Sequence, residues 1–145
     1  MARLPQSVGS SPNSTGRLNG VVLLVEDEPS VRTVTRRMME LRGLTVRVAE
    51  TADEALQIAV GCTGPIDVLL TDVQLPGMEG PELAGHLRAM RPELKVVYIS
   101  GYAREEAFAN SRDDPSAEYL QKPYSPTQLA EVLARVLAQT RSMPP

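Results

Sequence analysis

Between residues 21 and 139, short apolar runs alternate with helical patterns five times. The runs are VVLLVE at 21–26, LTVRVA at 44–49, IDVLLT at 66–71, KVVYIS at 95–100 and AEYLQ at 117–121. A strand can pair in parallel with the next only if the chain returns along a crossover, and a helix that covers a sheet face is the usual crossover. The pattern therefore predicts an α/β chain, a parallel five-stranded sheet wound with helices on both faces. Right-handed crossovers leave few topologies open to it.

The helices carry their own start and stop signals. Pro29-Ser30 opens the first, with Val31, Val34, Met38 and Leu41 expected on its apolar face and Gly43 as a left-handed stop. Thr51 and Glu54 read as a capping box for a helix that ends at Gly61. Pro81 opens a third helix with Leu83, Leu87 and Met90 inward; a polar helix is expected around 104–110, before a loop holding Asp113-Asp114-Pro115. Ser125-Pro126 with Gln128 caps the last helix, which is expected to bury Leu129, Val132, Leu133 and Val136. Residues 1–20 are rich in Ser, Gly, Asn and Pro without periodicity and read as a flexible linker or tail. The domain then spans 21–139, and 140–145 is a C-terminal tail.

Composition excludes several function classes. One Phe and no Trp leave an aliphatic core. A net charge of −3 argues against nucleic acid as a primary partner, because duplex binding relies on clustered Lys and Arg. The sequence contains neither the apolar run of about 20 residues that a membrane helix needs nor a signal-peptide core. A single cysteine, Cys62, excludes an internal disulfide, and a lone histidine, His86, leaves no Cys/His metal cluster. Cys62 reads as inert and His86 as an ordinary surface residue. The expected location is cytoplasmic.

Five polar residues stand where the strands run out: Glu26 and Asp27, Asp72, Ser100 and Lys122. In a parallel sheet these ends open onto one edge, where α/β proteins place their chemistry. Two carboxylates about 5 Å apart repel by roughly 3 kcal/mol at an effective dielectric near 20. A cluster of three therefore calls for solvation, protonation or a cation, and oxygen-loving Mg²⁺ is the natural one. Asp72 is the candidate nucleophile toward a phosphoryl group. Lys122 supplies a cation and Ser100 a hydroxyl for the phosphoryl oxygens. One such residue alone is usually a solvated loop residue or a cap; the convergence carries the reading. Arg32, Arg36, Arg37 and Arg42 make the first helix's outer face basic, either merely solvated or a dock for an acidic kinase surface.

VVLLVEDEPSVR, VLLTDVQLPGMEGPEL, VVYISGYA and YLQKPYSPTQL, in this order, resemble the receiver domain of two-component response regulators from about Val21 to Leu137. The resemblance implies the flavodoxin-like fold with strand order 2-1-3-4-5, an order already known for this fold. It implies Asp72 as phosphoacceptor, with Asp27, Asp72 and the backbone carbonyl of Gln74 ligating Mg²⁺ and Glu26 acting through a bound water. Ser100 and Lys122 would hold the phosphoryl oxygens, and Tyr119 matches the family's rotating aromatic switch. Glu26 departs mildly, standing where many members have Asp. Gln74 and Tyr102 occupy positions that tune phosphoryl lifetime.

The implied partner is a histidine kinase dimerisation/phosphotransfer domain or a histidine phosphotransfer protein, with weak homodimerisation left open. The wording of LQKPYSP and ISGYA is most similar to receivers at the C-terminus of hybrid sensor histidine kinases, and RLPQ is similar to the end of such a kinase's ATP-binding domain. No DNA-binding output domain is expected after the last helix. A stand-alone regulator and a phosphorylation-independent receiver-like interaction domain are the alternatives. A haloacid-dehalogenase-like phosphatase would want an acid where Gln74 stands.

Overall fold

A computed structural model describes residues 17–101 and 116–142. Its elements are β1 (Val21–Val25), α1 (Pro29–Leu41), β2 (Thr45–Ala49), α2 (Ala52–Gly61), β3 (Val68–Asp72), α3 (Gly80–Met90), β4 (Lys95–Ser100), β5 (Glu118–Gln121) and α4 (Pro126–Ser142). The strands form one parallel sheet in the order β2-β1-β3-β4-β5, as the resemblance implies. Asp72 is the last residue of β3. Tyr102, the expected helix at 104–110 and Asp113-Asp114-Pro115 lie outside the described residues.

Alternation along the central strands divides their side chains between two apolar layers. Leu23, Val25, Leu69, Val96 and Tyr98 pack beneath α2 and α3, where Ala55, Leu83 and Leu87 meet them. Val22, Leu24, Leu70, Val97 and Ile99 pack on the opposite face with Met39 of α1 and Leu129, Leu133 and Val136 of α4. Strands buried on both faces read as continuous apolar runs, which is how β1, β3 and β4 read. Each fully buried aliphatic side chain contributes about 1.5–3 kcal/mol relative to exposure. Ahead of β1, half-buried Leu18 packs on the second layer and its N–H donates to the Arg42 carbonyl at 2.6 Å.

The helix signals work as local chemistry. Gly43 takes φ +101°, its N–H donates to Glu40 O, and Leu44 N–H reaches back to Met39 O, so the end of α1 is a Schellman turn. Ser125 and Gln128 exchange both bonds of a capping box at 3.0 and 2.9 Å. At α2, Thr51 accepts from Glu54 N–H, but the Glu54 carboxylate returns to Glu50 N–H rather than to Thr51.

Expectations fail in two helices. The inward row of α1 is Thr35 and Met39; Val34 is 52% and Leu41 70% exposed. Two polar commitments go with this rotation: Thr35 hydrogen-bonds Tyr124 and Arg32 donates to the Glu26 carbonyl. Arg32 accordingly leaves the basic outer face on which the sequence had placed it. Met90 of α3, expected inward, is 42% exposed at the helix's last turn.

Gly85 lies mid-helix in α3, exposed, with nothing within 4 Å of where a Cβ would stand. Gly85→Ala will stabilise the fold by about 0.5–1 kcal/mol, since Ala restricts the unfolded chain and favours helix. A urea midpoint at unchanged m-value measures it, and a midpoint below wild type would contradict it.

Candidate functional site

The C-terminal edge of the sheet gathers the acids. β1 runs into Glu26, whose N–H bonds Ala49 O on the neighbouring β2 at 3.1 Å, while β3 beside it ends in Asp72. Ligand oxygens of Glu26, Asp27 and Asp72 all lie within 4.8 Å of one another, so the three could hold a metal ion. Glu26 is 1% exposed, Asp72 is buried and Asp27 is exposed. The cluster therefore has a desolvated floor and one wet rim.

Lys122, just beyond β5, extends its Nζ to 3.4 Å from Asp72 Oδ1 and 3.6 Å from Glu26 Oε1. Its N–H donates to Ser100 O at 2.8 Å, which registers the loop on the end of β4, and the Lys122–Pro123 peptide is cis. Burial raises the Asp72 carboxyl from an ordinary 3.8 to about 7; neighbouring Glu26 adds to the rise and Lys122 opposes it. For Lys122, burial works downward, but the Asp72 and Glu26 carboxylates outweigh it and hold the ammonium above its usual range.

Two oxygens at this edge are buried without a hydrogen-bond partner among the described residues: Ser100 Oγ, and Glu26 Oε1, which has only the longer ion pair to Lys122. The second Glu26 oxygen accepts from Glu28 N–H at 3.2 Å. Buried polar atoms are rarely left unpaired, and such exceptions point to a ligand, ion or water. Hard carboxylate oxygens around a partly hydrated rim suit a small divalent cation, and the free hydroxyl is a spare donor for an anionic oxygen. The residues fit the metal and the phosphoryl group that the sequence suggested.

Gln74 lies exposed in the loop after β3. Tyr119 is half-buried in β5 and stacks on Tyr98 of β4, ring centroids 5.5 Å apart and planes 16° from parallel. It belongs to the apolar layer rather than to the carboxylate cluster. Sequence reasoning missed Gly80, which starts α3 against the Asp72 carbonyl, and Tyr124, whose hydroxyl meets Thr35 Oγ1 at 2.7 Å. Tyr124 stands two residues after Lys122, the one local hint available; Gly80 opens the helix right after the loop that follows Asp72.

Comparison with known proteins agrees with this geometry. A sequence model of the response regulator receiver domain matches residues 22–134. Sensor kinase CckA of Brucella abortus (strain 2308) is 42% identical over 120 residues, 82% of this chain and 13% of that protein. The DNA-binding transcriptional regulator NtrC of Escherichia coli (strain K12) is 29% identical over 119 residues, 82% of this chain and 25% of that one. The chain thus spans a quarter or less of the length of these relatives. A CheY-like receiver domain protein from Methanospirillum hungatei JF-1 superposes with a TM-score of 0.76 at 29% identity, covering 86% of this chain and 98% of that one. A receiver domain protein from Clostridium thermocellum superposes equally well, TM-score 0.76 at 23% identity over 84% and 97% of the two chains, and supports the fold. With the matched segment running from within β1 into α4, the chain belongs to the response regulator receiver domain family of two-component signalling.

Proposed function

We propose that Asp72 accepts a phosphoryl group from a phosphohistidine donor in a Mg²⁺-dependent transfer, and that this phosphorylation switches a protein-binding surface. The observation that carries the reading is a buried carboxylate 3.4 Å from a lysine ammonium, at an edge where the Ser100 hydroxyl has no hydrogen-bond partner among the described residues and Glu26 Oε1 has only the lysine, 3.6 Å away. Asp27, Asp72 and the Gln74 carbonyl would hold the ion, with Glu26 acting through a water. Mg²⁺, when bound, would supply charge neutralisation for the phosphoryl oxygens and favour the ionised form of Asp72. The Asp72 oxygen forms the new O–P bond as the donor's P–N bond breaks, and the imidazole keeps the electron pair. Lys122 and Ser100 meet the oxygens on which charge gathers.

The donor would be a histidine kinase dimerisation/phosphotransfer domain or a histidine phosphotransfer protein. Its docking face would be the groove of about 360 Å³ beside the site, lined by Val31, Val34 and Met38 of α1 with Lys122, Pro123 and Tyr124. Rotation of α1 leaves Val34 exposed and Val31 and Met38 half-buried along this groove, next to exposed Arg36 and Arg37. Tyr119, held against Tyr98, would be the aromatic that turns when Ser100 is drawn toward the phosphoryl group. The higher identity to CckA than to NtrC favours a hybrid sensor kinase as the parent; we place the action of the domain in the cytoplasm.

Intact-mass measurement after treatment with acetyl phosphate tests the chemistry. One added phosphoryl group is expected with Mg²⁺ and none with EDTA. If neither an adduct nor beryllofluoride binding is found, the phosphorylation-independent interaction domain becomes the better reading.

A further inference from the structure

Thr35 is 2% exposed and turns a hydroxyl into the contact between α1 and the loop after β5. A buried hydroxyl stabilises a fold only when it is paired, and a valine of the same shape would fill the space without that demand. The partner is the Tyr124 hydroxyl at 2.7 Å, 89 residues away along the chain. Burial holds the Tyr124 phenol above its usual range, so it stays a neutral hydrogen-bonding group at physiological pH.

The placement of this pair relative to Lys122 gives it consequence. The 122–125 loop is anchored at one end by Lys122 N–H on Ser100 O at 2.8 Å, and at the other by the Ser125–Gln128 capping box. Between these anchors the Tyr124–Thr35 bond ties the loop to α1. Lys122 has a long, flexible side chain that is one-third exposed, so the place of its Nζ depends on where the loop starts it. Pro123 and Tyr124 also share the α1 groove with Val31, Val34 and Met38, which makes the tie part of that groove's floor.

We infer that Tyr124, through its hydrogen bond to Thr35, is a positioning residue that keeps the Lys122 ammonium at Asp72 and so sets the rate of phosphoryl acceptance. The inference rests on the aspartyl-acceptor reading and adds to it a residue pair that touches neither metal nor phosphoryl group.

The test compares wild type, Tyr124→Phe, Thr35→Val, Thr35→Ser and the Tyr124→Phe/Thr35→Val double variant. Rates of labelling by acetyl phosphate are followed by intact mass across a Mg²⁺ titration, with urea midpoints measured alongside. Tyr124→Phe and Thr35→Val should each slow labelling about three- to tenfold, the worth of one hydrogen bond. The double variant should be no slower than the slower single, because both remove the same bond. Thr35→Ser, which restores the hydroxyl but packs less well than Val, should stay near wild type. The Mg²⁺ half-saturation point should not move, since no carboxylate is touched. A Tyr124→Phe rate equal to wild type, additive losses, or Thr35→Ser as slow as Thr35→Val would each overturn the inference and reduce the pair to packing. A wild type that neither takes a phosphoryl group nor binds beryllofluoride would bring down the acceptor reading itself, so the two failures are distinguishable.

Discussion

In the Asp72→Asn variant, acetyl phosphate with Mg²⁺ will leave the intact mass unchanged, and the metal-free protein will be more stable than wild type at pH 8. The first result follows from nucleophilicity: a carboxylate oxygen attacks phosphorus, and an amide of the same shape does not. The second follows from desolvation. Burial, with the Glu26 carboxylate adding to it and Lys122 opposing, raises Asp72 from 3.8 to about 7 in the folded protein. The folded state then binds this proton more tightly than the unfolded chain does. The contribution of Asp72 to wild-type stability is therefore most favourable below about pH 4 and is lost as pH rises through 7. The gap between 3.8 and about 7 corresponds to at most about 4 kcal/mol. The opposing pull of Lys122 is already inside that figure; relaxation and water around the ionised carboxylate reduce it, and the expected gain is about 2 kcal/mol at pH 8. Urea midpoints at pH 4 and pH 8 without metal should show the variant's advantage growing between the two. Mg²⁺ should close the gap by stabilising wild type, by about 2.7 kcal/mol at a hundredfold excess over its dissociation constant, and not the variant. An advantage that is flat with pH would mean that Asp72 is not the strained group.

Much of this was legible in the chain because strand-end chemistry is a matter of register. Glu26, Asp72, Ser100 and Lys122 each follow an apolar run, and parallel pairing necessarily brings such positions to one edge. Periodicity also found α4, where Leu129, Val132, Leu133 and Val136 are all buried. It failed for α1, which carries two candidate inward rows. Val31, Val34, Met38 and Leu41 make the more apolar stripe, yet Thr35 and Met39 face the sheet. Hydrophobicity alone cannot see that Thr35 has a partner 89 residues away or that Arg32 is committed to the Glu26 carbonyl. Gly80 was hidden for a different reason. Its φ is not in the left-handed region, and it opens a helix rather than closing one, so neither turn chemistry nor a stop signal marks it. What it provides is space, which only the folded chain reveals.

Gly80→Ala will therefore damage both fold and site, whereas Gly85→Ala on the same helix will not. A Cβ at Gly80 would collide with the Asp72 carbonyl oxygen and lie 3.2 Å from Val73 Cα, both backbone atoms that cannot turn aside. Gly80 N–H also donates to Val73 O at 2.7 Å, so α3 cannot back away without breaking the bond that fixes its first turn to the end of β3. Overpacking of this kind costs about 1–3 kcal/mol where side chains can yield, and with backbone on both sides we expect about 3 kcal/mol. Relief can come only by moving the 72–73 backbone or lifting the start of α3. Either shift takes Asp72 out of line with Lys122, 3.4 Å away. Labelling by acetyl phosphate should fall at least about tenfold under conditions where the variant is still fully folded, since an error near 1 Å in placing a reacting group can cost about a hundredfold. The comparison with Gly85→Ala removes helix propensity as an explanation, because both variants make the same change in α3. If Gly80→Ala were as stable and as readily labelled as Gly85→Ala, the close approach of α3 to β3 would not be what holds the acceptor in place.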